Sequence, residues 1–206
     1  MALDSIDISP SQLSACQALV YGLLQRCEGS QSESGFVVAF VSAHPGAGVS
    51  HIQWVIKEML NENEAECAID IDCDSLGLTD KHRQRAGNEY YLDFPDTRPG
   101  KLGQAQRAKL ARYRDRVEHL NDLRDQYRYV LLDCHSLRER TDILGLAPMI
   151  DGAILVIECN RTTTAQTDEL ERSIERYGGT VLGSVLNKTT YPVPRWMNSL
   201  MERAGI

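Results

Sequence analysis

The feature that most restricts the fold of this chain is the run Val37-Val38-Ala39-Phe40-Val41-Ser42-Ala43-His44-Pro45-Gly46-Ala47-Gly48-Val49-Ser50-His51. An apolar strand enters a glycine-rich loop, and the loop opens onto the first turn of a helix. Backbone N–H groups in such a loop, with the helix start behind them, hold phosphate oxygens; this is the layout of a P-loop. A strand that is apolar on nearly every residue must be covered on both faces, which places it at the centre of a parallel sheet. One position departs from the pattern. Val49 stands where a P-loop carries lysine.

The flanking sequence supplies the rest of an α/β unit. Leu13, Cys16, Leu19, Val20, Leu23, Leu24 and Cys27 fall at helical spacing, and the Gly/Ser-rich stretch Glu28–Gly35 reads as a loop. Phe36–Ser42 is the first strand. A helix over Ser50–Asn61 follows, with Ile52, Val55, Ile56, Met59 and Leu60 on one face, and then a short strand Cys67–Asp72. Leu76–Gly100 is irregular, and Leu102–Gln126 is a long, charged surface helix. Its basic residues Arg107, Lys109, Arg112, Arg114 and Arg116 interleave with acids, so they read as a solvated face. Strands are expected at Tyr129–Asp133, Ala153–Ile157 and Val181–Leu186, a helix at Thr164–Tyr177 capped by Thr162, Thr163 or Thr164, and a short helix around Trp196–Arg203. Strands alternating with helices predict a three-layer α/β fold on an open, mostly parallel sheet. The expected division is an N-terminal helix and loop over 1–34 and a P-loop domain over 35–206, a size that suits one α/β domain.

A net charge of −7 argues against a nucleic-acid or anionic-membrane surface as the main partner. No apolar run reaches the roughly 20 residues of a membrane span, and the N-terminus lacks signal-peptide features, so a cytosolic location without membrane insertion is expected. Six cysteines without a C-x-x-C pair read as reduced thiols, several of them in apolar runs.

In an open α/β sheet, ligands sit beyond the C-terminal strand ends. Three strands here end in chemically loaded residues: Ser42 into the loop, Ile69 into Asp70 and Asp72, and Leu132 into Asp133. A strand-end Asp often only caps a turn. Three together beside a Pro-Gly-x-Gly-x-Ser loop make up the parts list of a magnesium–nucleotide site. Pro45, Gly46, Ala47, Gly48, Val49, Ser50 and His51 would line the phosphates. The Ser50 hydroxyl with Asp72 and Asp133 would face Mg²⁺, and Asp70 or Asp72 would supply a base or support metal-bound water. His44, His51 and His135, with Asp72, Cys73 and Cys134 nearby, raise a transition-metal alternative, but their spacing matches no known ligand pattern. A protonated His44 or His51 would only weakly replace the lysine at neutral pH. Trp54 and Trp196 read as packing or partner-contact residues.

Ser42–His51 resembles the Walker A segment of the bacterial tyrosine kinases of the capsular exopolysaccharide family, where a Pro-Gly-x-Gly-Lys-Ser/Thr run is typical. Ala68–Asp72 resembles their Walker A′ motif. Val130–Asp133, led in by Tyr127-Arg128-Tyr129, resembles Walker B, and Asp151–Val156 and Leu182–Lys188 resemble the later core strands. Residues 35–190 are thus similar to that family in five segments in order, with partition and division-site ATPases as wider relatives. The resemblance implies a P-loop NTPase fold, ATP or ADP with Mg²⁺ as ligand, and Asn187 at the adenine. It also implies the cytoplasmic tail of a membrane polysaccharide-export or chain-length protein as partner, and it leaves room for a homo-oligomer.

The departures bear on activity. A hydrogen bond to a charged group contributes roughly 1.5–3 kcal/mol, so the absent lysine would weaken phosphate binding by about one to two orders of magnitude. It would weaken the transition state more. Val49 is expected to place a branched apolar side chain beside the phosphates. The tyrosine-rich tail and the Glu-x-x-Arg-type ring pattern of those kinases are also absent. The expected function is therefore a regulatory or partner-binding module with weak or no ATP turnover. The alternative is an active ATPase or protein tyrosine kinase in which another residue, of the type of Lys101 or Lys188, or another subunit replaces the lysine.

Overall fold

The computed structural model describes residues 10–29, 34–63, 67–73, 75–76, 102–137 and 141–189. The lead-in before Pro10, the irregular stretch beyond Leu76, Lys101 and the helix expected around Trp196–Arg203 lie outside these residues. So do the side chain of His135 and those of the basic residues of 102–112.

Five strands form one sheet: β1 (Phe36–Ser42), β2 (Ala68–Asp72), β3 (Tyr129–Ser136), β4 (Gly152–Glu158) and β5 (Val181–Asn187). Their order is β2-β3-β1-β4-β5, and every neighbouring pair is parallel. Among the described residues the helices are α1 (Pro10–Gly29), α2 (Val49–Asn63), α3 (Leu102–Gln126) and α4 (Thr164–Arg176), with a 3₁₀ segment at Thr141–Met149.

Side-chain alternation along the strands sorts the core into two halves. Val38 and Phe40 of β1, Tyr129 and Leu131 of β3, and Ile154 and Val156 of β4 pack with α1 and α2. Val37, Ala39, Val41, Val130, Leu132, Ala153 and Leu155 face the other way, onto α3, the 3₁₀ segment and α4. Cys16, Val20 and Leu23 bury one face of α1, which packs on α2 and β5 within the first half. Leu120 and Leu123 are buried near the C-terminal end of α3.

Three details differ from the sequence reading. Glu28 and Gly29 continue α1, and β3 runs on from Asp133 to Ser136. The 3₁₀ segment was not foreseen. Gly145 and Pro148 interrupt any α-helical run there, yet Leu144, Leu146 and Ala147 are buried, so a tighter, shorter turn seats them.

A polar knot holds β1 at its start. The Asp151 carboxylate accepts from the Val37 amide at 2.7 Å, and the Asp151 amide donates to the Val37 carbonyl at 2.9 Å. Arg124 pairs with Asp151 at 3.0 Å and donates to the carbonyls of Gly35 and Met149 at 2.9 and 2.7 Å. Val37 is fully buried, so its amide needs this acceptor. Asp151→Ala should therefore lower stability by about 1–3 kcal/mol, read as a lower urea midpoint at unchanged slope.

Candidate functional site

Strand β1 lies between β3 and β4, the point at which successive connections leave in opposite directions, so the loop after it opens into the crevice where such sheets bind ligands. The loop 43–48 turns on two glycines in left-handed conformation, Gly46 at φ 77° and Gly48 at φ 91°. A Cβ added at Gly48 would stand 2.2 Å from Asn187 Nδ2, so that position requires glycine both for its backbone and for its neighbour. Ile52 N donates to Gly48 O at 3.1 Å, which starts α2. The amides of its first turn, those of Val49, Ser50 and His51, have no intrahelical acceptor.

The Ser50 hydroxyl donates to Asp133 Oδ2, and Asp133 is almost fully buried. Asp72 is in register with Asp133 on the neighbouring strand, so both strand ends present a carboxylate on the sheet face that carries α2. A hydroxyl and two carboxylates are hard oxygen donors, a set that fits Mg²⁺ beside phosphate. Asp70 sits two residues earlier and is ion-paired with Lys57 of α2 at 2.8 Å.

Val49 is placed otherwise than expected. It is 6% exposed and belongs to the cluster with Ile52, Cys16 and Val20, so its side chain faces the core and not the phosphates. Removing a branched apolar side chain from water is favourable, and the half of the core that α1 and α2 share with the sheet receives it. The departure from the pattern leaves a missing charge without adding an apolar obstruction.

Asn187, read as an adenine contact, is buried under the loop. Its Nδ2 donates to Ala47 O at 2.8 Å, its Oδ1 accepts from Lys188 N at 2.9 Å, and Gln12 Nε2 of α1 donates to the same Oδ1. The histidines are scattered. His44 Nε2 is 3.0 Å from Gln166 Oε1, and His51 is exposed beside Trp54. Among the described residues, no three His, Cys, Asp or Glu side chains converge in a way that would hold a metal ion.

The sequence reading missed several supporting residues. Gln12 gave no signal beyond the helix face. Gln166 lies in a visible Thr163-x-x-Gln166 capping box, and both of its reciprocal bonds are formed. The same glutamine also reaches His44, which no spacing rule would have indicated. On the opposite face of the sheet, Cys73 and Cys134 follow the two acids, their sulfurs 2.8 Å apart and both about 1% exposed. Burial, and then the bond to Cys73, push the Cys134 thiol well above its ordinary value, and burial raises Cys16 to about 11.

No protein-family profile matches this chain. A 70-residue stretch is 33% identical to the succinoglycan biosynthesis transport protein ExoP of Rhizobium meliloti. That match spans 34% of this chain and only 9% of that protein. Among solved structures, the kinase domain of the Escherichia coli tyrosine kinase ETK superposes with a TM-score of 0.59 at 14% identity, over 88% of this chain and 79% of that one. The VpsO kinase domain gives 0.59 at 21% identity, over 87% and 95%. The chimerical protein CapA2B2 gives 0.59 at 15% identity, over 92% and 88%. The chain thus shares the α/β fold of these kinase domains. Among the described residues, no helix is long and apolar enough to cross a membrane.

Two outcomes follow from the site geometry. Gly48→Ala should cost at least about 1 kcal/mol, because alanine is strained at positive φ, and should displace Asn187, seen as a lower thermal midpoint and a shifted Asn187 side-chain amide resonance. Iodoacetamide on the native protein at pH 7.5 should leave Cys16, Cys73 and Cys134 unmodified, because all three are buried away from the reagent. Partly exposed Cys27 and Cys159 should be labelled first, as read by peptide mass.

Proposed function

We propose that this chain is a nucleotide-phosphate-binding module of the exopolysaccharide tyrosine-kinase type, with little or no phosphoryl transfer. The observation that carries the reading is Val49. The position that would send a lysine across the phosphates carries an apolar side chain packed into the core. Phosphoryl transfer is catalysed almost entirely by positioning and charge stabilisation, so the absence of that cation weighs most on the transition state.

The loop amides and the first turn of α2 would take the phosphates. Ser50, Asp72 and Asp133 would hold Mg²⁺, which when bound would neutralise phosphate charge. Asp133 already orients the Ser50 hydroxyl. Asp70, engaged by Lys57, would support the metal side and not act as a free base. Asn187 would brace the loop, its amide being committed to Ala47.

The short similarity to a succinoglycan transport protein supports a setting in polysaccharide synthesis or export, with the cytoplasmic tail of a membrane chain-length or export protein as partner. In that setting the module would act at the inner face of the membrane through its partner, and nucleotide occupancy would serve as a signal. A homo-oligomer would be compatible with this role. An active kinase or ATPase is the second reading, favoured by one observation: Lys188 Nζ lies 2.6 Å from the Gly46 carbonyl of the loop.

Calorimetric titration with Mg-ATP and Mg-ADP, together with a turnover assay, separates the two. The natural chain should bind about ten- to hundred-fold more weakly than a Val49→Lys variant and release no ADP above background. Micromolar binding with turnover in the natural chain would overturn the proposal.

A further inference from the structure

Three successive carbonyls of the loop each accept a hydrogen bond from a side chain outside it. Arg161 Nη1 donates to Pro45 O at 3.1 Å, Lys188 Nζ to Gly46 O at 2.6 Å, and Asn187 Nδ2 to Ala47 O at 2.8 Å. These carbonyls belong to the peptide units whose N–H groups are those of Gly46, Ala47 and Gly48. In a planar trans peptide the N–H points away from the C=O. A donor on the outer side of each unit therefore faces an amide directed to the inner side, where a phosphate would lie.

Two of the three donors are cations, and one carboxylate aligns both. Glu158 at the end of β4 accepts from Lys188 at 3.0 Å and from Arg161 at 2.9 Å. The Lys188 ammonium is the main cause that holds the Glu158 carboxyl below its ordinary value, with Arg161 adding to it. The cluster carries a net charge of +1 at neutral pH. Its backbone is unusual as well. Among the described residues, the non-glycine positions at positive φ are Asn160 at 61° and Lys188 at 56°, one immediately before Arg161 and the other the second cation itself. Such conformations persist where the surroundings over-determine them.

We propose that Arg161 and Lys188 are positioning residues for phosphate. They act through the peptide units of the loop and replace in part the lysine that Val49 displaces. Hydrogen bonds in series polarise one another, so a cation on each outer carbonyl strengthens the amide on the inner side. The ligand class is a di- or triphosphate chain, either free pyrophosphate or the phosphates of a nucleotide. The inference rests on the reading of the loop as a phosphate site and adds the source of its charge.

The test is calorimetric titration of the full chain with inorganic pyrophosphate and with Mg-ATP. The variants are Lys188→Met, Lys188→Arg, Arg161→Met, Glu158→Gln and Val49→Lys, each with its thermal midpoint measured. Lys188→Met and Arg161→Met should each weaken both ligands at least about five-fold, a change typical of 1 kcal/mol, and Lys188→Arg should restore binding. Glu158→Gln should weaken both ligands less than either cation variant, since it loosens the alignment of the two cations but leaves their charge in place. Loss for Mg-ATP alone would put the cations on the base or sugar and overturn the relay. If only Val49→Lys binds pyrophosphate, the relay falls and the phosphate-site reading stands; if no variant binds either ligand, both fall.

Discussion

The structure depends on the burial of β1 between two parallel neighbours. Residues 37–41 lie in the interior, alternating between the two halves of the core, and the ladders to β3 and β4 leave the strand no open edge. A strand so enclosed delivers the loop that follows it to one defined place, the crevice above the sheet. Asp133 and Ser50 then meet because β3 and α2 are each fixed against β1. The knot of Arg124, Asp151 and the Val37 amide fixes the opposite end of the strand. The geometry of the loop is thus inherited from the core.

Charge is the second theme. The loop retains its glycines, its serine and its neighbouring carboxylates, but the side chain that would bring a cation to the phosphates is turned inward. The substitution is not a steric block, since the Val49 side chain is buried in the apolar core on the α1/α2 side of the sheet. What changes is the electrostatic balance. Asp72 and Asp133 stand at neighbouring strand ends with Ser50, while Arg161 and Lys188 stand outside the loop and reach its carbonyls. On the function proposed, such an arrangement would hold a phosphate chain and contribute little to charge that develops in transfer.

Much of this was legible in the sequence. The uninterrupted apolar run of β1, the glycines at 46 and 48 and the strand-end acids placed the fold and set Asp72 in register beside the Asp133 that Ser50 meets, because each follows from local pattern and from the handedness of α/β connections. The direction of the Val49 side chain was not legible, since it depends on how the helices on that face pack over the sheet, and no motif identifies that packing. Nor was the bracing of the loop. Asn187 and Arg161 reach loop carbonyls 140 and 116 residues away, and Glu158 meets Lys188 from the neighbouring strand 30 residues away, so no spacing signature marks them. Asn187 was singled out only by resemblance, and its geometry assigns its amide to the loop carbonyl.

The central claim is that the loop receives phosphate without efficient transfer. Its most direct test is to follow the backbone amide resonances of Gly46, Ala47, Gly48, Val49 and Ser50 during titration with Mg-ATP, with the nucleotide observed by phosphorus resonance in the same tube. The account predicts saturable shifts concentrated at these five amides while the ATP signals persist. Shifts confined to other parts of the chain, or steady conversion of ATP to ADP by the natural sequence, would contradict it.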